Sequence, residues 1–226
     1  MNDLFRPLLR QFVLIFFDDI LIYSRERFAH LHHLQVVLQV LRDNHFFPNH
    51  RKCSFDRRQI GYLGRIIAHS GVVVDPAKIE VVVNWPTPST VKGVCGFLSL
   101  TDYYRKFIDG YGTIAQPLTQ LTRKDNFQWT PAATQAFTHL KRLLTTTPVL
   151  ALSDFSQHFE IECDTSGRGV GAVLMQHQRP IAFFSKALAA CTFSKSTYEK
   201  EIRALVLAIQ HWRPYLLGRP FTLFSD

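Results

Sequence analysis

With 226 residues, 46% of them hydrophobic, the chain has enough apolar material for a packed core, as one large domain or two smaller ones, which excludes a disordered tail. A formal net charge of +8 and a sequence pI near 9.5 predict a surface that attracts polyanions, either nucleic acid or an anionic membrane face. No apolar run reaches the roughly 20 residues of a bilayer span, and the N-terminus lacks signal-peptide order, so the expectation is an intracellular, unsecreted protein with no membrane partner.

Residues 12–17 and 20–23 are short runs rich in Val, Ile, Phe and Tyr, separated only by Asp18 and Asp19. This pattern predicts two strands joined by a tight turn made of the two acids. From Phe28 to Asn44, the residues Leu31, Leu34, Val37, Leu38 and Leu41 recur at helical spacing and predict an amphipathic helix. His30, His32 and His33 fall on its polar face without a carboxylate or thiolate partner set, so they are expected to be solvated rather than metal-bound. The stretch IGYLGRIIAHSGVVVD predicts a second hairpin turning at His69, Ser70 and Gly71. Asp75-Pro76 then opens a helix, because aspartate can cap and proline suits the first helical position.

NWPTPST, Asn84 to Thr90, is a proline-rich hinge and the strongest internal boundary. A helix is predicted from Ser89 to Leu100, followed by the loop-rich DYYRKFIDGYG and by a helix opening at Thr130-Pro131 with Phe137, Leu140 and Leu144 as its apolar stripe. TPVLALSDFSQ is a connector. Beyond His158, FEIECD, GVGAVLMQ and PIAFFSKAL are strand candidates, STYEKEIRALVLAIQHW is helical and FTLFSD is a last strand, an order that predicts a separate α/β unit. Cys53, Cys95, Cys163 and Cys191 form no CxxC pair and are expected to be reduced, mostly buried thiols.

Three features carry chemistry. Successive residues of a strand point to opposite faces, so Asp18 and Asp19 can converge only where the backbone turns sharply. A pair held that way suits a hard divalent ion, although a polar turn alone also explains two aspartates. Along FEIECD, Glu160, Glu162 and Asp164 share one face and Ile161 and Cys163 the other, with Asp164 beside the glycine-rich turn. On the last helix, Ser196 and Glu199 have capping-box spacing, so Glu199 is assigned to the helix end. Glu201 shares a stripe with Leu205, Ala208 and Trp212 and is the better catalytic candidate, with Asp226 as a third acid or a mere turn residue. Finally, Tyr103, Tyr104, Arg105 and Lys106 interleave rings and cations able to stack on bases and neutralise phosphates, or simply to pack a helix end.

FFDDILIYS resembles the polymerase active-site motif of reverse transcriptases, in the form found in Ty3/gypsy-type LTR retrotransposons. HLHHLQVVLQVLRDNHFFPNHRKCSF, YLGRIIAHSGVVVDPAKIEVVVNWPTPST and GFLSLTDYYRKFI are similar to that family's successive palm, thumb and connection segments. FEIECDTSGRGVGAVLMQ resembles the first strands of a retroelement ribonuclease H. The resemblance implies an α/β (α+β) fold: a truncated palm with a primer-grip-like hairpin over 1–84, thumb and connection over 85–155, and an incomplete ribonuclease H-like domain over 156–226. It implies catalytic, metal-binding roles for Asp18, Asp19, Asp164, Glu201 and Asp226. It implies nucleic-acid contacts from Phe16, which stands where many relatives have tyrosine, and from Leu63, Gly64, Gly71, Tyr104, Arg105 and Lys106, the glycines allowing close approach of a strand.

The implied cofactor is Mg2+, with Mn2+ as a substitute, and the implied partners are primer–template, RNA–DNA hybrid and deoxynucleoside triphosphates. The implied compartment is a cytoplasmic particle or the nucleus. Because the family's fingers, its first metal-binding aspartate and the last ribonuclease H elements have no counterpart here, both sites are expected to be incomplete and activity impaired. The alternative expectation is a non-catalytic nucleic-acid-binding or assembly remnant.

Overall fold

The structure, a computed structural model, describes residues 1–123, 127–166, 169–188 and 196–225. It divides into two compact units, Met1–Tyr62 and Leu63–Asp226.

In the first unit, β1 (Val13–Phe16) and β2 (Asp19–Ile22) form an antiparallel hairpin in which Val13 faces Ile22 and Phe16 faces Asp19. The turn is therefore Phe17–Asp18, one residue earlier than the sequence suggests, and Asp19 is already a strand residue. Phe17 supplies the reversal by taking φ 52°, a left-handed conformation that bulky residues rarely adopt. Val13, Ile15, Ile20 and Ile22 share the face that packs with Phe5 and with Val37 and Leu41 of α1 (Arg27–Asp43). The predicted stripe on α1 is displaced. Leu31 and Leu38 are exposed, while His33 is half-buried, stacked on Phe12 at 3.8 Å between ring centroids, with its Nδ1 2.7 Å from Ser24 Oγ. His30 Nδ1 is 3.3 Å from the same oxygen, so these two histidines brace the end of the hairpin and only His32 is solvated as expected. β3 (Gln59–Tyr62) ends this unit.

The second unit opens on an antiparallel pair, β4 (Arg65–Ala68) and β5 (Gly71–Val74), joined at His69–Ser70. Leu63 and Gly64, at φ 50° and 66°, form an additional turn ahead of β4 that the sequence reading did not contain. Asp75 caps α2 (Pro76–Val83) by accepting the Ala77 N–H at 2.9 Å, and Thr90 caps α3 (Val91–Tyr103) by accepting that of Gly93 at 3.2 Å. A 3₁₀ turn over Arg105–Phe107, the short helices α4 (Tyr111–Ile114) and α5 (Gln116–Leu121), and α6 (Pro131–Thr145) complete a helical layer. Its core joins Phe97, Phe107, Leu118, Phe137, Leu140 and Leu144, all buried, so the expected α6 stripe is the one that packs.

β6 (Phe159–Ser166), β7 (Gly169–Gln176) and β8 (Arg179–Ala187) make an antiparallel meander, and β9 (Phe221–Ser225) lies parallel to β6, giving the order β8-β7-β6-β9. A parallel neighbour requires a crossover. Here α7 (Thr197–His211) and α8 (Arg213–Leu216) supply it and bury Ala204, Ala208, Trp212 and Leu216 with Phe159, Ile161 and Leu174 of the sheet. The helical layer is tied to this sheet through Ser185, whose carbonyl accepts Arg105 Nη2 at 2.8 Å and whose Oγ accepts the Gly112 N–H at 2.7 Å. Among the described residues no helix is long and apolar enough to cross a membrane.

Candidate functional site

Asp18 sits in the turn and Asp19 opens β2, and both are exposed. By register, Asp19 shares a sheet face with Leu14, Phe16 and Leu21, opposite the face packed on α1. Asp19 thus lies on the face away from α1, beside the half-exposed Phe16, whose ring meets that of Phe17 edge-on at 4.8 Å between centroids. Burial raises the Tyr62 phenol above its ordinary value and the Asp19 charge adds to this, placing that hydroxyl within reach of the carboxylate's field. The positive φ at Phe17 is backbone strain next to chemistry-bearing groups, where such strain tends to collect.

At the β4–β5 hairpin the structure corrects the expected roles. Tyr104 is 1% exposed and its hydroxyl donates to the Gly64 carbonyl at 3.0 Å, so it is a core residue rather than a surface for nucleic acid. Tyr103, 45% exposed, donates to the adjacent Leu63 carbonyl at 2.7 Å. The two hydroxyls hold both carbonyls of the Leu63–Gly64 turn, which is why this turn stays in a left-handed conformation. A Cβ on Gly64 would lie 2.7 Å from the Tyr104 Oη, and one on Gly71 would strike the Leu150 carbonyl, so the close approach each glycine permits is to the protein's own chain. Arg105 is likewise committed inward, to the Ser185 carbonyl and to Asp102 at 3.2 Å, and its guanidinium lies 5.7 Å from the Tyr111 ring. Of the expected basic contacts only Lys106 keeps its head group outside such pairing. Removing the Tyr104 hydroxyl with Tyr104→Phe is expected to destabilise the second unit by about 1 kcal/mol in urea denaturation while leaving nucleic-acid affinity unchanged.

In the C-terminal sheet the alternation is as expected. Ile161 and Cys163 are buried while Glu162 and Asp164 are exposed, and burial pushes the Cys163 thiol up to about 11. Asp164 pairs with Gly171, two residues from the Ser166–Gly169 end where β6 turns into β7, and Cys163 lies opposite Ser225 of β9. Asp226 lies outside the described residues, as does Cys191. Ser196 and Glu199 form the full capping box: Glu199 N–H donates to Ser196 Oγ at 3.2 Å and Ser196 N–H donates to Glu199 Oε2 at 3.0 Å. Glu201, half-buried, stands one turn before Ala204 on the side of α7 that packs on β6. The two glutamates are thus separated as their spacing predicted.

Whether these acids suit a divalent ion can be judged from their donors. Asp18 and Asp19, and separately Asp164 and Glu201, offer the hard oxygens magnesium prefers. Among the described residues no group of three or more His, Cys, Asp or Glu side chains converges. Carboxylate oxygens of this kind suit an ion that is shared with substrate phosphates and water.

Residues 1–67 match the family model described as reverse transcriptase (RNA-dependent DNA polymerase), and residues 129–223 match that of the RNase H-like domain found in reverse transcriptase. The chain is 38% identical over 228 residues to the retrovirus-related Pol polyprotein from transposon 297 of Drosophila melanogaster, a match covering 100% of this chain and 22% of that protein. It is 34% identical over 222 residues to the transposon Tf2-3 polyprotein of Schizosaccharomyces pombe, covering 95% of this chain and 17% of that one. The chain thus spans about a fifth of the length of these relatives. Among solved structures it is similar to the foamy viral protease-reverse transcriptase in complex with RNA/DNA hybrid, at TM-score 0.90 and 21% identity over 99% of this chain and 31% of that one. It is also similar to the same kind of protein in complex with dsDNA, at TM-score 0.87 and 21% identity over 99% and 48% of the two chains. At that identity the likeness is one of fold.

Proposed function

From the premise that this chain carries a reverse transcriptase segment and a ribonuclease H-like domain related to those of transposon polyproteins, we propose that it is the palm, thumb, connection and ribonuclease H-like part of an RNA-directed DNA polymerase of the Ty3/gypsy type. The observation that carries this reading is the occurrence of one acid pair in each matched segment: Asp18–Asp19 exposed at a hairpin turn, and Asp164 with Glu201 on two elements that pack together. Residues 1–84 act as palm, 85–155 as thumb and connection, and 156–226 as the hydrolytic domain.

Asp18 and Asp19 present their carboxylates to the primer end and triphosphate, and the Phe16 ring lies against the nucleic acid. Leu63, Gly64 and Gly71 act indirectly, by shaping the hairpin that meets the primer strand. Asp164 and Glu201, with Asp226, present acids to the RNA strand of an RNA–DNA hybrid. Bound Mg2+, or Mn2+ in its place, would supply charge neutralisation of the attacking and leaving oxygens. The working compartment is a cytoplasmic particle or the nucleus.

Manganese titration followed by electron paramagnetic resonance tests the metal assignment. Asp18→Asn combined with Asp19→Asn is expected to remove one class of bound ion while leaving the fold intact. Unchanged stoichiometry and affinity would contradict the assignment. Because no third ligand stands with Asp18 and Asp19 among the described residues, the chain alone is expected to extend no primer on an RNA template. Extension that Asp18→Asn abolishes would show the polymerase site to be whole. The same lack of a third ligand favours, as a second reading, a remnant that binds nucleic acid or supports assembly without chemistry. Magnesium-dependent cleavage of a hybrid separates the two.

A further inference from the structure

The open end of the acid-bearing hairpin is fastened to α1 through a single hydroxyl. Ser24 follows β2, and its Oγ lies 2.7 Å from Nδ1 of His33 and 3.3 Å from Nδ1 of His30, two residues about one turn apart on α1. The His33 ring also lies flat on Phe12, which precedes β1, with 3.8 Å between centroids and 6° between planes. Tyr23 N–H donates to the Phe12 carbonyl at 3.0 Å, so the two ends of the hairpin are still paired where the histidines meet them.

A serine oxygen carries one proton and two lone pairs. It satisfies two imidazole nitrogens at once by donating to one ring and accepting the N–H of the other, an arrangement that needs at least one neutral ring. When both rings are protonated every imidazole nitrogen is a donor, the hydroxyl proton has no ring left to bond, and two like charges face one oxygen. The groups that face His33 are His30 and His32 of its own helix, Tyr23 and Ser24 at the end of β2, and Phe12, and no carboxylate is among them. Arg27 of the same helix is paired with Asp56 at 2.7 Å, while Arg25 and Glu26, in the connection to α1, are exposed and opposite in sign. Burial first, and then the charges of His32 and His30, hold the His33 imidazole below its ordinary value, against a backbone hydrogen bond with Tyr23 that acts the other way.

We propose that Ser24, His30 and His33 form a proton-sensitive latch: neutral rings hold the open end of the hairpin to α1, and protonated rings release it. The latch stands on the fold of the first unit alone and does not rest on the polymerase reading. Its consequence for that reading is that acid loosens the two strands that carry Asp18 and Asp19. A fold that holds an imidazole below its ordinary value is stabilised by the neutral form, and that stability is complete above about pH 6.5 and is lost as pH falls below it.

The test uses the full chain and needs no substrate. Hydrogen exchange read by peptide mass spectrometry, corrected for the intrinsic exchange rate, is expected to show protection over residues 12–24 falling several-fold between about pH 7.5 and about pH 5.5, with α6 unchanged. Ser24→Ala and His33→Gln are each expected to lower that protection at the higher pH and to flatten its change with pH. A second measurement needs no variant: imidazole resonances of the wild-type chain, followed by NMR through a pH titration, are expected to place His33 below the ordinary imidazole value. Protection over residues 12–24 that does not change with pH, or that changes as much in both variants as in the parent, would overturn the latch. A His33 that titrates at or above the ordinary value would overturn it as well.

Discussion

Glu201→Gln is expected to lower magnesium-dependent cleavage of the RNA strand of a hybrid by about 10²–10⁴-fold, whereas Glu199→Ala, two residues earlier on the same helix, is expected to leave the rate alone and to destabilise the fold by about 1 kcal/mol. The contrast follows from geometry. Glu199 accepts the Ser196 N–H and lies 3.1 Å from Ser196 Oγ, so its carboxylate closes the first turn of α7. Glu201 precedes the buried Ala204 and Ala208 by one and two turns, on the side of α7 that packs on the sheet of β6, the strand that carries Asp164. Replacing its carboxylate by an amide keeps the shape and removes a charge that would hold the metal. Rate measurements beside thermal melting separate the two roles. Equal losses of rate in both variants would remove the assignment of Glu201, and so would an unchanged rate in Glu201→Gln.

Gly71→Ala is expected to be the most damaging small substitution in the second unit, at a loss on the order of 3 kcal/mol in urea denaturation. Gly71 has φ 139°, outside the range side chains favour, and its added Cβ would meet the Leu150 carbonyl and, at 2.9 Å, Val149 Cγ1. That carbonyl accepts the Val72 N–H at 2.8 Å, and Leu150 N–H donates back to the Val72 carbonyl at 3.0 Å. The next residue, Ala151, donates to the Pro180 carbonyl at 2.7 Å, so the same short segment links the β4–β5 hairpin to the C-terminal sheet. Gly64→Ala is expected to cost less, about 1–2 kcal/mol, because the atom it meets is the end of a side chain. Combining it with Tyr104→Phe should recover part of that loss. A Gly71→Ala chain as stable as the parent would mean that the hairpin is not anchored at Leu150.

What could be read from the sequence was what is decided within a few residues. The alternation of Ile161, Glu162, Cys163 and Asp164, the capping box at Ser196 and Glu199, and the Phe137–Leu140–Leu144 stripe all depend on local periodicity, and each is present as read. The turn of the acid hairpin was misplaced by one residue because it relies on Phe17 adopting a left-handed conformation that composition does not signal. Tyr104 and Gly71 were taken for ligand contacts because their partners, Gly64 and Leu150, lie far away in the chain and are unified only by folding. The histidines of α1 show the same limit: His30 and His33 were read as solvated, yet Ser24, on the strand-to-helix connection, brings both to one oxygen.

Equilibrium binding of the full chain to a labelled RNA–DNA hybrid across a salt series tests the central claim, that the chain is a nucleic-acid-handling segment of a reverse transcriptase and ribonuclease H. The account predicts saturable binding whose log K falls linearly with log salt, by close to one unit for each phosphate neutralised, and a loss of about 10³–10⁵ in affinity between about 50 and 200 mM salt if six to ten phosphates are engaged. An affinity that does not change over that range, or no saturable binding at the low end, would contradict it.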